Sequence, residues 1–220
     1  MGEVIRANVD VDDIFKDAGT ALVKATARGG TIQERAEAGV APVLAMVDAL
    51  DAEMKTAVVT LAPLAAKVDA ANAEADAAIN RTYDDVWNDV GRPGNDRFLA
   101  LMFPGGSGYY TEGDTPGQPA RMELLAKLFD RALHPKLGKD QSHEYAARVR
   151  DAAVPLKEAL DAAAGPAANM ALLKRVRTAL GRVAQFELAN LKRMYKIDGM
   201  TEAEIHTIIP DRPAPKKPTK

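Results

Sequence analysis

The chain has 220 residues, enough for one large domain or two small ones, with 47% hydrophobic and 27% charged residues, the balance of a soluble globular protein. It contains no Cys, which excludes disulfides, thiolate nucleophiles and cysteine-ligated metals. The net charge of −2 divides into a basic C-terminal decapeptide, DRPAPKKPTK, at +3 and a body at −5, so the body lacks the basic footprint that phosphate contacts require and nucleic acid is set aside as a partner.

The opening segment, MGEVIRANVDVDD, is acidic and has no apolar stretch of the kind a secretory leader needs. Arg6 stands where a myristoylation signal requires Ser or Thr. No apolar run approaches the ~20 residues that span a bilayer. The expected compartment is the cytoplasm, without stable membrane insertion. Ala makes up roughly a fifth of the chain and aromatics only 5%. Ala is the strongest helix former because it loses no side-chain entropy in a helix. A core of Ala, Leu and Val lets helices approach closely but offers few large anchors.

A first helix is expected over about residues 10–28, with Ile14, Phe15, Ala18, Leu22 and Ala25 on one stripe. Gly29-Gly30 ends it. TIQE, residues 31–34, has the form of a capping box, with Thr31 and Glu34 as its two members. A short helix follows to about Ala38, where GVAP interrupts. From residue 42 to 90 the pattern is long. Val40, Val43, Val47, Leu50, Met54, Ala57 and Leu61 alternate in steps of three and four, the a/d seam of packed helices. The seam continues through Leu64, Val68, Ala71, Ala75 and Ala78, then shifts to Ile79, Tyr83, Val86, Trp87 and Val90. Pro63 lies inside it, where either a kink or a tight turn satisfies the chemistry of proline.

GRPGND, residues 91–96, stops this helix, and DRFLALMF forms a short one capped by Asn95 or Asp96. Eight of the sixteen residues 104–119 are Gly or Pro, so this stretch is expected to be a crossover loop without structure of its own. Helix resumes near Ala120 with Met122, Leu125, Leu128, Phe129 and Ala132 on one face. A further helix runs from about residue 143 to Gly165-Pro166. A last long one covers about 167–197, with Leu173, Val176, Leu180, Val183, Leu188, Leu191 and Tyr195 inward and Gly199 closing it. TEAE, residues 201–204, caps a final turn that carries Ile205, Ile208 and Ile209. Residues 210–220 are expected to be a disordered basic Pro/Lys tail. The fold class is all-α: an elongated antiparallel bundle of about four long helices with short accessory ones. It forms a single domain over 1–209, with an irregular middle at 91–119.

Few residues qualify for chemistry. PGGSG lacks the Lys and the strand–helix setting of a phosphate loop, and Glu112 and Asp114 beside it repel phosphate. Ser107 lacks the second Gly of a nucleophile elbow. HEYAA begins like a zinc helix but has Ala147 at the second ligand position. His134 and His206 stand apart in sequence. The acids Asp84, Asp85, Asp89, Asp96, Glu112 and Asp114 lack the order of a calcium loop and read as a solvated face. No catalytic residue, metal or cofactor is assigned.

One pattern remains. Six of the eleven aromatics, Tyr83, Trp87, Phe98, Phe103, Tyr109 and Tyr110, fall between positions 83 and 110. They either pin the loop onto the helix ends or form a contact patch, for which Trp87, Phe103, Tyr109 and Tyr110 are the candidates. The expected function is a non-enzymatic scaffold or assembly protein, bound to a protein partner or to itself through helix faces and the aromatic loop. The alternative is a small-ligand binder or enzyme with a pocket near Tyr83, Trp87, Phe98 and Tyr109. Reversible membrane attachment through an amphipathic helix fits less well, because the body is acidic.

Overall fold

The structure, a computed structural model, describes residues 10–210, and all the regular structure among them is helical. The elements in chain order are α1 (Val11–Arg28), α2 (Gly30–Asp89), α3 (Arg97–Met102), α4 (Gly108–Thr111), a 3-10 turn (Thr115–Gly117), α5 (Gln118–Asp130), α6 (Lys139–Ile197) and α7 (Glu202–Ile208). The protein is thus a helical bundle with two very long helices and several short ones. Of the basic tail expected over residues 210–220, residues 211–220 lie outside the described residues.

The interruptions expected at GVAP and at Gly165-Pro166 do not occur, and of the two alternatives at Pro63 the tight turn is not taken. α2 passes through Gly39, Pro42 and Pro63, and α6 passes through Pro155, Gly165 and Pro166. A proline removes one backbone bond and crowds the carbonyl four residues back, a cost of ~3 kcal/mol confined to one turn. Around Pro42 that turn is held by Val40 and Val43, both buried. Nor does Thr31 cap a helix: α2 already begins at Gly30, which puts Thr31 inside its first turn.

The fold divides into two compact units. The first takes the residues up to Ala57 and from Asn169 onward: α1, the start of α2, the end of α6, and α7. As residue number rises along α2 it falls along α6. The Tyr195 hydroxyl donates to the Ile32 carbonyl at 2.9 Å, Gly39 faces Glu187, and Arg177 meets Asp51 at 3.0 Å. The core joins Ala18, Ala21, Ala25, Ala36 and Val40 to Leu188, Leu191, Tyr195 and the three isoleucines of the α7 region. Arg177 binds helices α1, α2 and α6 together: it contacts Asp12 at 2.5 Å as well as Asp51, and its guanidinium lies over the Phe15 ring. α1 comes close enough to α6 that a methyl on Gly181 would sit 2.9 Å from Val11 Cγ1. Burial pushes the Tyr195 hydroxyl up to about 12.

The inward row of α6 differs from expectation at two positions. Val176 and Val183 are exposed, and the buried row is Met170, Leu173, Ala184, Leu188, Leu191 and Tyr195, with Gly181 beneath α1. Two stripes with the same three-and-four spacing overlap on this helix. Close approach selects the one that carries the small residues Gly181 and Ala184.

α7 docks as expected. Thr201 and Glu204 form a complete capping box, and Ile205, Ile208 and Ile209 are buried. Gly199 closes α6 in a left-handed conformation with the paired bonds Gly199 N–H to Lys196 O and Met200 N–H to Tyr195 O, a Schellman motif. Glu202 reaches back to Lys192 at 3.0 Å and Lys196 at 2.5 Å.

The second unit, Val58–Ala168, holds the rest of α2 and α6 with α3, α4 and α5. The seam expected on α2 is buried at Ala75, Ile79, Val86 and Val90. It packs on Met122, Leu125, Ala126 and Phe129 of α5 and on Ala146, Val149 and Leu156 of α6. The buried Gln118 amide donates to Asp76 at 2.7 Å, fixing the start of α5 against α2.

Two outcomes are expected. Leu188→Ala leaves a cavity and lowers unfolding stability by about 3 kcal/mol, whereas Val183→Ala changes it by less than about 0.5 kcal/mol, as measured by urea denaturation. The second concerns pH. Hydrogen bonds from Lys196 and Lys192 hold the Glu202 carboxyl down at about 2, below its ordinary 4.5. A depressed carboxylate contributes stability above its unfolded pKa and loses it as pH falls through the folded one. The stability difference between the native chain and Glu202→Gln is therefore full above pH 4.5 and shrinks as pH falls toward 2, which thermal melts across that range read directly.

Candidate functional site

The aromatic segment begins where α2 ends. Gly91 adopts a left-handed φ, and the bonds Gly91 N–H to Asn88 O and Arg92 N–H to Trp87 O complete a second Schellman motif. The chain turns back so that the Trp87 indole N–H donates to the Pro93 carbonyl at 3.3 Å. Asp96 then caps α3, accepting from Phe98 N–H at 2.8 Å and Leu99 N–H at 3.0 Å.

The other Asp96 oxygen faces His134 Nε2 at 3.2 Å. His134 is fully buried, and its Nδ1 accepts from the Lys136 backbone N–H at 3.2 Å. That bond assigns the proton to Nε2, which donates to the carboxylate. The Leu99 N–H first, and then the Phe98 N–H and His134, hold Asp96 below the usual carboxylate range. Although isolated in sequence, His134 is a structural strut that ties the α5–α6 connection to the α3 cap. Phe98 packs edge-on against it at 5.7 Å.

Phe103 is the hub. Its ring meets Tyr83 at 5.1 Å, Tyr110 at 5.8 Å and Phe129 at 6.1 Å, all edge-to-face, the arrangement that ring quadrupoles favour. Tyr110 is buried and donates its hydroxyl to the Met102 carbonyl at 2.6 Å. Burial raises that hydroxyl to about 12. Tyr109 packs edge-on against Tyr110 at 5.0 Å and is 47% exposed. The four candidates therefore part company: Phe103 and Tyr110 are core, Trp87 is half-buried, and only Tyr109 offers a ring to solvent.

Residues 104–119 also carry more structure than expected. Gly105 and Gly106 take left-handed turns, α4 and the 3-10 turn follow, and Asp114 caps the latter through Gly117 N–H at 2.9 Å. Arg121 clamps the segment from α5, contacting the Asp114 carboxylate at 3.3 Å and donating to the backbone carbonyls of Glu112 and Asp114.

Several acids that read as a solvated face hold neighbouring elements together. Asp89 accepts from both the Tyr145 hydroxyl and the Gln141 amide, and Asp85 meets Arg148 at 2.5 Å. Burial and the Asp89 carboxylate push the Tyr145 hydroxyl above its ordinary value. His143 falls in the second turn of α6, because that helix starts at Lys139, and is exposed. Among the described residues no three acidic or histidine side chains assemble as a metal site.

Besides a recess of about 510 Å³ lined by Pro104, Tyr109, Glu112, Gly113 and Arg121, two further concavities lie in the second unit. A recess of about 420 Å³ is lined by Tyr83, Trp87, Pro93, Asp96 and Phe103, with loop glycines at its edge. Of the four residues named for a pocket on sequence grounds, Tyr83 and Trp87 line it, Tyr109 lines the recess of about 510 Å³ instead, and Phe98 lines neither. The other, missed in the sequence, is an apolar groove of about 800 Å³ between the start of α5 and the middle of α6, lined by Pro116, Pro119, Ala153, Val154, Leu160 and Ala164. Its rim charges pair with one another, Arg150 with Glu123 at 3.2 Å and Lys157 with Asp161 at 2.5 Å. The i, i+7, i+11 spacing of Ala153, Leu160 and Ala164 was the available signal.

Comparison with protein-family models, with curated proteins and with solved structures finds no match for the chain.

Tyr110→Phe strands the Met102 carbonyl in the core and is expected to cost about 1–2 kcal/mol. Tyr109→Ala removes an exposed ring and is expected to cost less than about 0.5 kcal/mol. Chemical denaturation of the two variants side by side separates the pinning tyrosine from the free one.

Proposed function

We propose that the protein is a non-enzymatic scaffold or assembly component of the cytoplasm. In this reading an elongated antiparallel bundle presents helix faces to protein partners, and residues 104–119 form the crossover that displays Tyr109. The observation that carries this reading is the exposure of large apolar side chains in rows on helix surfaces, above all Leu172, Val176, Val183 and Phe186 of α6. A contiguous apolar row left in water marks a contact surface more often than scattered exposed residues do. Tyr109, held on the rigid Tyr110 ring, adds an aromatic of the type enriched at interface centres. Among the described residues no helix is long and apolar enough to cross a membrane.

A second reading rests on the two concavities: a small-molecule binder using the apolar groove or the Trp87 recess, both within the size range of ligand pockets.

Protein purified from its native source should run in gel filtration with light scattering at a mass above that of the 23.5 kDa chain. Tyr109→Ala alone tests the loop, since Tyr110→Ala would remove a core residue. Monomeric mass at every concentration, together with a small molecule retained in native mass spectrometry and lost in Trp87→Ala or Val154→Glu, would establish the second reading instead.

A further inference from the structure

Within the first unit α6 carries two apolar rows. The inner one is spent on α1, α2 and α7. The second runs Leu172, Val176, Ala179, Val183 and Phe186, in steps of four, three, four and three. Its large members stay exposed, at 57%, 39%, 44% and 59% for Leu172, Val176, Val183 and Phe186. Single exposed hydrophobes are ordinary. A row that repeats every 3.5 residues over about 21 Å of helix has the spacing by which one helix packs along another. At 100° per residue this row points roughly 120° away from the inner one. α1 occupies the opposite flank, over Gly181 and Arg177.

The charges beside the row decide what fits it. With Val176 and Val183 at heptad position a, the g positions are Arg175 and Arg182. Both are exposed, and neither makes an ion pair or side-chain hydrogen bond with the described residues. Arg177, two residues from Arg175, by contrast holds two carboxylates. Of the e positions, Leu173 and Leu180 belong to the unit's own core and the Glu187 carboxylate is turned onto Gly39 of α2, so the unpaired charge that a docking helix meets is that of the two arginines. Interhelical pairing at such flanking positions sets partner choice. A second copy of α6 laid antiparallel would set arginine against arginine.

We propose that Leu172, Val176, Ala179, Val183 and Phe186 form a docking seam for an acidic amphipathic helix of a partner protein. That helix carries apolar residues at a and d and Glu or Asp where it meets Arg175 and Arg182. The proposal rests on the assembly reading above and names its surface and the chemistry of its partner.

The test titrates full-length protein into fluorescein-labelled peptides of about four heptads with Leu at a and d, carrying either Glu or Lys at e and g, and reads anisotropy. The Glu peptide should bind in low salt and the Lys peptide roughly tenfold more weakly or not at all. Val183→Ser with Phe186→Ser should lose the Glu peptide while the circular dichroism melt stays in place. Arg175→Glu with Arg182→Glu should reverse the preference, a readout that holds even if the serine variant folds poorly. No binding, or equal binding of the two peptides, overturns the proposal. So does capture by phosphatidylserine vesicles that the serine substitutions abolish without any peptide preference, which would assign the row to an anionic membrane surface. A dimer in light scattering that the same substitutions dissociate would assign it to a second copy. Failure of the peptide test with the native assembly intact leaves the scaffold reading standing on Tyr109. A native monomer removes the scaffold reading as well.

Discussion

The buried three-and-four seam of α2, matched by facing rows on α6, is the constraint on which each unit depends. In the first unit α1 and α7 close over it; in the second, α3, α4 and α5 do. Because much of the seam is Ala and Val, its strength lies in contact length and close approach. Gly181 beneath Val11 shows how close: one added methyl would collide. Several polar groups enter this packing with partners. Arg177 enters with two carboxylates, Gln118 with Asp76, and His134 with Asp96 and a backbone amide. Buried polar groups cost far more unpaired than paired, so these contacts also fix the register of the helices they join.

Around that seam the aromatic residues are used economically. Phe103 gathers Tyr83, Tyr110 and Phe129, and Tyr110 spends its hydroxyl on Met102. The segment 104–119 is consequently held from both sides, by rings beneath and by Arg121 from α5. Gly and Pro supply its turns, and short helical turns satisfy the backbone between them. What reaches solvent is one ring, Tyr109, whose orientation is set by a buried neighbour. On the proposed assembly reading, a ring preorganised in this way would lose little entropy when it is covered.

The exposed row on α6 is the complement of this economy. The helix has enough apolar residues for two faces and one core to bury them in. Among the described residues the arginines beside the second row have no carboxylate partner, while comparable arginines elsewhere, Arg148 and Arg150, are paired. Unneutralised charge next to an unburied apolar row is the combination on which the proposed docking seam rests.

By itself the sequence determined the helical class, the seam along α2, a cap at Asn95 or Asp96, the stop at Gly199 and the capping box of the final turn, because each depends on spacing or on a backbone group within one or two turns. Its expectation that Gly39, Pro42 and Gly165-Pro166 end helices failed for a related reason. Such residues raise the local cost, but whether the helix breaks is settled by packing on either side. Only the tertiary structure decided which of two equally spaced stripes on α6 faces inward, since the choice turns on the size of Gly181 and Ala184 against α1 and α2. It alone separated Tyr110 from its neighbour Tyr109, placed His134 on Asp96 across 38 positions of sequence, and opened the apolar groove between α5 and α6. Those are relations between distant segments, and a local pattern of residues carries no term for them.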